Sequence, residues 1–234
     1  TSNNKLANLL KNYNTEVKVF ENCINSTTPK ETRLDNESKL TIFFGAFNRI
    51  KDWERWIGTL NEIFLENPNR WKFEVVHDKA FFKEIQLSPK NKHFTPTCSY
   101  QEYLKIMKSC DIAFMPLNDN EFNNYKSDLK AIEAASFSLA ILSTPVVYNH
   151  KFIDEETAAF FNSNQELFDI LKQWEENPHK IRELGKRAQE YVSKERLVSY
   201  QINEMEDWYT SIWNRRKELT NALRQRIPIL FEEN

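Results

Sequence analysis

The chain has 234 residues, enough for one large domain, and its 40% hydrophobic and 13% aromatic content favours a packed core over disorder. Its 32 basic and 34 acidic residues leave a net charge of -2. That balance argues against a dedicated nucleic-acid-binding protein, because such proteins usually carry a clear basic excess.

The beginning of the chain predicts a short amphipathic helix, a strand and a linker. The apolar spacing of residues 3–10 favours the helix, and residues 16–20 alternate as a strand would. Residues 25–38 are rich in Ser, Thr, Asn and Pro and have no apolar periodicity, which is typical of a linker. Because the chain starts at Thr1 within what reads as the middle of a fold, we expect it to be part of a longer protein.

Strands and helices then alternate with short connections. This alternation predicts a doubly wound, Rossmann-like α/β domain with a parallel sheet. Continuous apolar runs such as residues 40–45 fit strands that are buried on both faces. The predicted strands are residues 40–45, 72–77, 92–96, 111–117 and 139–143, and the predicted helices are residues 52–67, 81–85, 100–108 and 127–136.

The last third of the chain predicts helices from residue 165 to about residue 226, broken at Asn177-Pro178. An aromatic stripe at helical spacing includes Trp208, Tyr209 and Trp213, and core packing is its simplest interpretation. Basic residues near 215–217 and 224–226 could contact an anionic membrane surface, although a solvated helix end is the favoured interpretation.

Three features of the sequence indicate the cellular compartment: the cysteines, the lack of a signal peptide and the lack of a long apolar run. Cys23, Cys98 and Cys110 form neither a disulfide framework nor a metal-ligand pattern, so reduced thiols are expected. No run of about 18 apolar residues predicts a membrane span. These features predict a cytoplasmic protein, with the inner face of the membrane as its one candidate peripheral location.

The most polar loop of the predicted sheet edge is residues 118–128, after the fourth strand. Ligands of doubly wound domains bind at the carboxyl ends of the strands. Ser127 or Asp128 could cap the following helix, and its amides and dipole would then favour an anion, with Lys126 adding a positive charge. Glu133, about one and a half turns further on, could accept hydrogen bonds from a ribose diol, although a Lys and a Glu near a helix start often form a surface ion pair.

Residues 111–117, Phe122-Asn123 and residues 126–135 resemble the donor site of retaining GT-B glycosyltransferases. The variant resembled belongs to bacterial surface-polysaccharide and O-antigen clusters, where a stretch "fN..KSdlK.iE.a" replaces the usual "E.fG...lEa". The resemblance implies four segments: residues 1–24 as the tail of an N-terminal domain, 25–38 as linker, 39–163 as the nucleotide-sugar domain, and 164–234 as helices packing on it.

The resemblance also implies roles for individual residues. Glu133 matches the glutamate that binds the nucleotide ribose, and Gly45 matches a glycine turn. Tyr125 stands where the family has an earlier glutamate, so the carboxylate contact to the donor sugar is either absent or supplied by Asp119 or Glu121. The other implied donor-binding residues are Lys126, Ser127, Asp128 and Asn123 at the diphosphate and sugar, Arg49 and Lys51 as basic phosphate contacts, and Pro96 and Thr97 beside the base.

These matches predict the donor-binding half of a glycosyltransferase. It would transfer a sugar from a nucleotide-diphosphate sugar to a glycan, lipid or protein acceptor in cell-surface polysaccharide biosynthesis, without a cofactor or metal. The resemblance places the acceptor and the catalytic side chains in an N-terminal domain, which is then a partner of this chain. We expect the chain alone to bind donor weakly and to be inactive.

Two other classes stay open: a non-catalytic GT-B-like structural module, and a GT-B-fold sugar-nucleotide epimerase. A nicotinamide dehydrogenase is disfavoured because no G-x-G-x-x-G follows a predicted strand. A zinc hydrolase is disfavoured because His77, His93, His150 and His179 are isolated from one another in the sequence.

Overall fold

A computed structural model describes residues 1–28 and 39–231. Most of the predicted linker, residues 29–38, lies outside the described residues. The chain divides into two compact units, Thr1–Leu197 and Val198–Asn234. The division falls inside the segment 164–234, which the sequence treats as one.

The first unit is built on a six-stranded parallel sheet in the order β3-β2-β1-β4-β5-β6. The predicted doubly wound, Rossmann-like class is confirmed. All five predicted strands of the main alternation are present, and the sequence missed only β6, which is two residues long. The strands are β1 Leu40–Gly45, β2 Trp71–Val76, β3 Lys92–Thr95, β4 Ile112–Met115, β5 Ala140–Ser143 and β6 Ala159–Phe160.

Helices cover both faces of this sheet. They are α1 Asn4–Leu10, α2 Ile50–Trp53, α3 Ile57–Glu66, α4 Lys79–Glu84, α5 Tyr100–Lys108, α6 Glu121–Asn124, α7 Leu129–Ser136, α8 Asn164–Glu176 and α9 His179–Glu195. One buried cluster joins β1, β2 and β4 to α3, α4 and α8, and a second joins the other face of the sheet to α5, α7 and α9. Burial on both faces explains why the strands read as continuous apolar runs.

Helix α9 approaches the sheet closely because it carries a glycine at the contact. A Cβ atom on Gly185 would overlap the carbonyl group of Ser138, just before β5. The close approach brings the C-terminal end of α9, and Arg196 after it, towards the start of α7.

Two predicted elements in the first half of the chain differ from the structure. Residues 16–20 are not a strand, because their backbone meets no neighbouring strand; Lys18 and Phe20 bond instead to the backbone of Thr1 at 3.0 and 2.9 Å. The predicted helix 52–67 is two helices. Between them the Trp56 amide donates to the Trp53 carbonyl at 2.9 Å, a tighter turn that places both buried indoles on one side.

Two predicted helix starts are also shifted. Helix α4 begins at Lys79 rather than residue 81, because the Asp78 carboxylate accepts the Phe81 amide at 3.0 Å and caps it. Helix α7 begins at Leu129 rather than residue 127. Residues 118–128, predicted as a loop, contain the short helix α6, which Asn120 caps by accepting the Asn123 amide.

The second unit contains α10 Ile202–Asn214 and α11 Arg216–Arg226. The predicted break at residues 177–178 is confirmed, and further breaks occur at residues 196–201 and at Arg215. Neither helix of this unit has a buried residue, and Tyr209 and Trp213 are 56% and 65% exposed, so the unit does not itself bury the aromatic stripe. Among the described residues, no helix combines the length and apolarity that crossing a membrane requires.

Candidate functional site

A cavity of about 410 Å³ lies at the carboxyl ends of β1 and β4. Strand order reverses here, since β1 pairs with β2 on one side and β4 on the other, which is the usual ligand position in doubly wound folds. Its walls combine apolar strand ends with basic side chains. The lining residues include Phe44, Gly45, Met115 and Leu117 from the sheet, Tyr103 and Tyr148 from its flanks, and Arg49, Lys126, Ser127 and Lys130.

Gly45, at the end of β1, lines the cavity. A Cβ atom at this position would collide with the rings of Tyr103 and Phe43. A glycine is therefore needed for the backbone of β1 to end against these rings.

Arg49 is held at the cavity by a buried polar network. Its guanidinium pairs with the Asp52 carboxylate at 2.8 Å and donates to the Asn123 side-chain oxygen at 3.0 Å. The Asn123 amide in turn donates to Asp52 at 2.8 Å. Asn123, predicted as a donor contact, is only 2% exposed and does not line the cavity. It positions Arg49 instead.

The loop with Lys126 and Ser127 is fixed by the beginning of the chain. The Asn3 side chain donates to the carbonyls of Tyr125 and Lys126 at 2.9 and 3.1 Å. The Asn22 side chain donates to the Ser127 hydroxyl at 2.7 Å. Lys126 and Ser127 line the cavity and also line a second one, of about 550 Å³, on the side of α1; Tyr125 lines neither.

Asp128 does not cap α7 with its side chain, contrary to the sequence prediction. It occupies the N-cap position, but Arg196 binds its carboxylate with two nitrogens at 2.6 and 2.9 Å. Ser127 does not cap the helix either, since its hydroxyl is bonded to Asn22. Arg196 is 2% exposed, and its charge neutralises the carboxylate next to the cavity.

Glu133 is buried, at 6% exposure, and accepts a hydrogen bond from the Tyr100 hydroxyl at 2.5 Å. Burial raises the pKa of its carboxyl group, while the Tyr100 hydrogen bond and the charge of Lys130 act in the opposite direction. The carboxylate lies beside the cavity rather than in its wall.

Lys130 is the residue that sequence reasoning missed, although it lies inside the motif. Its ammonium group donates to the Gly45 carbonyl at 2.6 Å and lines the cavity. Burial, and next the charge of Arg49, lower its pKa to about 8. The spacing of three residues from Glu133 was the available signal, since it places both side chains on one face of a helix.

Three predicted contacts are not brought to the cavity. Lys51, Pro96 and Thr97 are exposed, and none of them lines it. The Lys51 backbone carbonyl accepts from the Asn118 side chain, and the Lys51 side chain is exposed. The proposed substitutes for the family glutamate also lie outside it, since Asp119 bonds to Asn124 at 2.7 Å and Glu121 is exposed on α6.

A row of stacked rings runs along the same sheet edge and was not predicted. Phe47 stacks on His77 with ring centroids 4.0 Å apart, and His77 lies parallel to Tyr103 at 6.0 Å. Tyr100 continues the row at 6.4 Å from Tyr103. His77 has a φ of 75° and a buried ring nitrogen without a hydrogen-bond partner, and burial lowers its pKa.

Among residues 1–28 and 39–231, no three His, Cys, Asp or Glu side chains come together as a possible metal site. The basic side chains that line the cavity are Arg49, Lys126 and Lys130.

The fold and the basic cavity define a Rossmann-like ligand-binding domain. The chain belongs to the glycosyl transferase-like family, whose sequence model matches residues 54–207. No relative was found among the curated proteins.

Solved structures of glycosyltransferases share the fold. The C-terminal domain of the glycosyl transferase group 1 family protein LpcC from Francisella tularensis is 17% identical, covers 75% of this chain and 99% of its own, and has a TM-score of 0.59. TarM from S. aureus was solved with fondaparinux, alpha-GlcNAc-glycerol and UDP. It is 11% identical, has a TM-score of 0.67, and its match covers 89% of this chain and 43% of TarM. HepE from Anabaena was solved with UDP-glucose. It is 13% identical, has a TM-score of 0.56, and its match covers 74% of this chain and 49% of HepE.

The chain thus spans less than half of TarM and of HepE but nearly all of the LpcC C-terminal domain. Its fold is that of the C-terminal half of a GT-B glycosyltransferase.

Proposed function

We propose that this chain is the donor-binding half of a glycosyltransferase and that its cavity binds a nucleotide-diphosphate sugar. The proposal rests mainly on the cavity at the reversal of strand order, which Arg49, Lys126 and Lys130 all line. The buried carboxylate of Glu133 lies one helical turn after Lys130 on α7. Cations suit a diphosphate, and a carboxylate suits the two hydroxyl groups of a ribose. The UDP in TarM and the UDP-glucose in HepE support this ligand class.

In the proposed reaction, negative charge develops on the leaving diphosphate as the bond to the sugar breaks. Fixed positive groups at that position stabilise the transition state more than the ground state. Arg49 is held by Asp52 and Asn123, and the Lys126 loop is held by Asn3, so these groups need little reorganisation. Such electrostatic stabilisation operates without a bound metal, and we propose a metal-independent transfer.

The acceptor and the catalytic side chains belong, in this proposal, to an N-terminal domain. The second cavity, across Lys126 and Ser127 from the first, opens beside α1 and is where an acceptor would approach. We propose a glycan acceptor of cell-surface polysaccharide biosynthesis, with retention of configuration, because the 126–135 motif resembles enzymes of that kind.

Isothermal titration of the chain with UDP, GDP, dTDP, ADP and CDP tests donor binding. We expect one of these to bind in the micromolar to millimolar range and the corresponding nucleoside monophosphate to bind more weakly. If none binds at millimolar concentration, the donor-site proposal is wrong.

The full-length protein separates transferase from the two alternatives. Lys126→Ala and Glu133→Ala are expected to abolish sugar transfer; unchanged transfer would favour the structural module. Conversion of a nucleotide-sugar in the absence of acceptor would favour the epimerase.

A peripheral membrane contact is also proposed for the second unit, on the basis of exposed aromatic residues and a basic helix. Tyr209 and Trp213 are exposed on α10, and α11 carries Arg216, Lys217 and Arg226. Sedimentation with vesicles containing anionic lipid should exceed sedimentation with neutral vesicles. Equal sedimentation with anionic and neutral vesicles would contradict the membrane contact and favour a solvated surface.

A further inference from the structure

We propose that Lys130, and not Lys51, joins Arg49 as the second basic residue that binds the diphosphate of the ligand. The inference rests on the proposed function and assigns a contact within the same site. The sequence resemblance placed that contact at Lys51, whose side chain is exposed and outside the cavity.

The geometry of Lys130 fits a phosphate contact. Its Nζ atom donates to the Gly45 carbonyl at 2.6 Å, at the end of β1, so the ammonium group is held against the cavity floor. An ammonium group has three donors, and the structure uses one of them for Gly45. The other two are available to phosphate oxygens in the cavity that Arg49 and Lys126 also line.

The carboxylates near Lys130 are already engaged by other groups. Asp52 is paired with Arg49 at 2.8 Å and accepts from Asn123, while Glu133 accepts from Tyr100. Lys130 forms no ion pair with either of them, and Arg49 lies close enough to repel it. The cavity therefore holds more positive than negative charge in a poorly solvated place, and an anion would relieve the imbalance.

The protonation of Lys130 should consequently be coupled to binding. Burial and Arg49 lower its pKa to about 8, so without ligand the group begins to lose its proton near that pH. A bound diphosphate favours the charged form and raises the pKa, so binding takes up a proton between about pH 8 and 9 and affinity falls as pH rises. The charged or titratable groups that face Lys130 are Arg49 and Asp52 near the start of α2, His77 after β2, Tyr103 on α5, Lys126 in the loop before α7, Glu133 on α7 and Tyr148 across the cavity.

None of these neighbours explains a loss of affinity in that pH range. Burial lowers the pKa of His77 below its usual range and raises the pKa values of Tyr103 and Tyr148 above theirs. Protons that the ligand itself takes up or releases are measured with the Lys130→Arg variant, whose charge does not titrate in this range, and are subtracted from the wild-type value.

The experiment is isothermal titration of the 234-residue chain with UDP and with uridine, at pH 7, 8 and 9, in buffers of different ionisation enthalpy. The variants are Lys130→Met, Lys130→Arg and Lys51→Met, the last being the matched control with the same loss of charge. We expect Lys130→Met to weaken UDP about tenfold or more and Lys51→Met to weaken it less than about twofold. Uridine should bind all variants alike, because it lacks the diphosphate.

Lys130→Arg should keep UDP binding and lose the proton uptake that the wild type shows at pH 8, since arginine does not titrate there. Equal UDP affinity of Lys130→Met and the wild type would overturn the inference while leaving the proposed function intact. A parallel loss of uridine and UDP by Lys130→Met would also overturn it, because the defect would then be one of folding. A nucleoside diphosphate that binds more tightly than UDP replaces it, with its own nucleoside, in all of these titrations. If the wild type binds none of UDP, GDP, dTDP, ADP and CDP, and no inorganic pyrophosphate, both the proposed function and this inference fail.

Discussion

Lys130 and Glu133 lie one turn apart on α7, in surroundings that disfavour the charge of each. Burial lowers the pKa of Lys130 and raises that of Glu133, and each residue's charge partly offsets the effect on the other. The same burial keeps water from competing with a ligand for these groups. Their opposite charges therefore suit two different parts of one nucleotide.

A ligand lacking one ribose hydroxyl tests the role of Glu133. We expect the wild type to bind UDP about tenfold more tightly than 2′-deoxy-UDP, because a carboxylate hydrogen bond to the diol is lost. Glu133→Gln keeps the shape of the side chain but weakens its acceptors, and should bind both ligands nearly alike. Glu121→Gln, at an exposed position on α6, is the control and should keep the discrimination. If Glu133→Gln still prefers UDP over 2′-deoxy-UDP as strongly as the wild type does, Glu133 does not bind the ribose.

The lowered pKa of Lys130 also predicts a pH-dependent stability. Between pH 8 and about 10.5 the folded protein binds fewer protons than the unfolded chain, so this residue makes the free energy of unfolding rise with pH. Below pH 8 it carries its charge at a cost to the folded state. Lys130→Met should then stabilise the protein at pH 7 by about 1–2 kcal/mol, after the loss of the Gly45 hydrogen bond.

Chemical denaturation at pH 7 and pH 10 measures this effect. The gain in Lys130→Met should shrink at the higher pH, while Lys51→Met should change stability little at either. A gain that grows with pH would contradict the lowered pKa.

At the scale of elements, Arg196 joins α9 to the start of α7 and to the segment before the sheet. It binds both oxygens of Asp128 and donates to the Asn22 carbonyl at 2.8 Å. Removing one partner of a buried ion pair leaves an uncompensated charge, whereas an exposed pair contributes little. The position of the Lys126–Ser127 loop therefore depends on a helix that lies far along the chain.

Arg196→Met should lower the free energy of unfolding by about 3–5 kcal/mol. The double variant with Asp128→Asn should recover part of the loss, because the buried carboxylate is then gone. Lys172→Met is the control; it removes a pair with Glu66 at 2.6 Å and a second with Glu175 at 3.1 Å, and because Lys172 itself is solvent-accessible it should cost about 0–1 kcal/mol. Equal losses in Arg196→Met and Lys172→Met, measured by urea denaturation, would refute the structural role of the buried pair.

Two helical glycines provide a second comparison between elements. Gly58 in α3 has nothing within 4 Å of a built Cβ atom, so Gly58→Ala should stabilise the protein by about 0.5–1 kcal/mol. The same change at Gly185 in α9 meets the Ser138 backbone and should destabilise it by about 1–3 kcal/mol. Opposite shifts of the thermal midpoint are expected, and a stabilising Gly185→Ala would contradict the close packing of α9 on the sheet.

For the whole molecule, periodicity predicted the sheet and its class because buried strands such as β1, β4 and β5 leave apolar runs of ordinary length. It could not find β6, whose two residues carry no pattern. The strand predicted at residues 16–20 was wrong for a different reason. Alternation describes a single strand, whereas a β-ladder needs a neighbouring strand, and residues 16–20 pair with none among the described residues.

The sequence pointed to the sheet edge where the cavity lies, but it did not show how the side chains there are held. The loop after β4 and the N-terminus of α7 do border the cavity, as strand ends in such folds require. The predicted side-chain cap at Asp128 was wrong because its carboxylate binds Arg196, a partner far away in sequence that no local spacing reveals. Charge alone likewise did not show that Lys51 is exposed and that Lys130 lines the cavity.

The contacts of Arg196 also have a consequence for the order of folding. Its guanidinium joins residues 68 and 174 positions away along the chain. Contacts over such separations require large loops to close, and they usually form after the local βα units. Arg196→Met is therefore expected to accelerate unfolding while leaving the refolding rate nearly unchanged. Stopped-flow mixing in urea separates the two rates, and a slower refolding limb would place Arg196 in the folding nucleus instead.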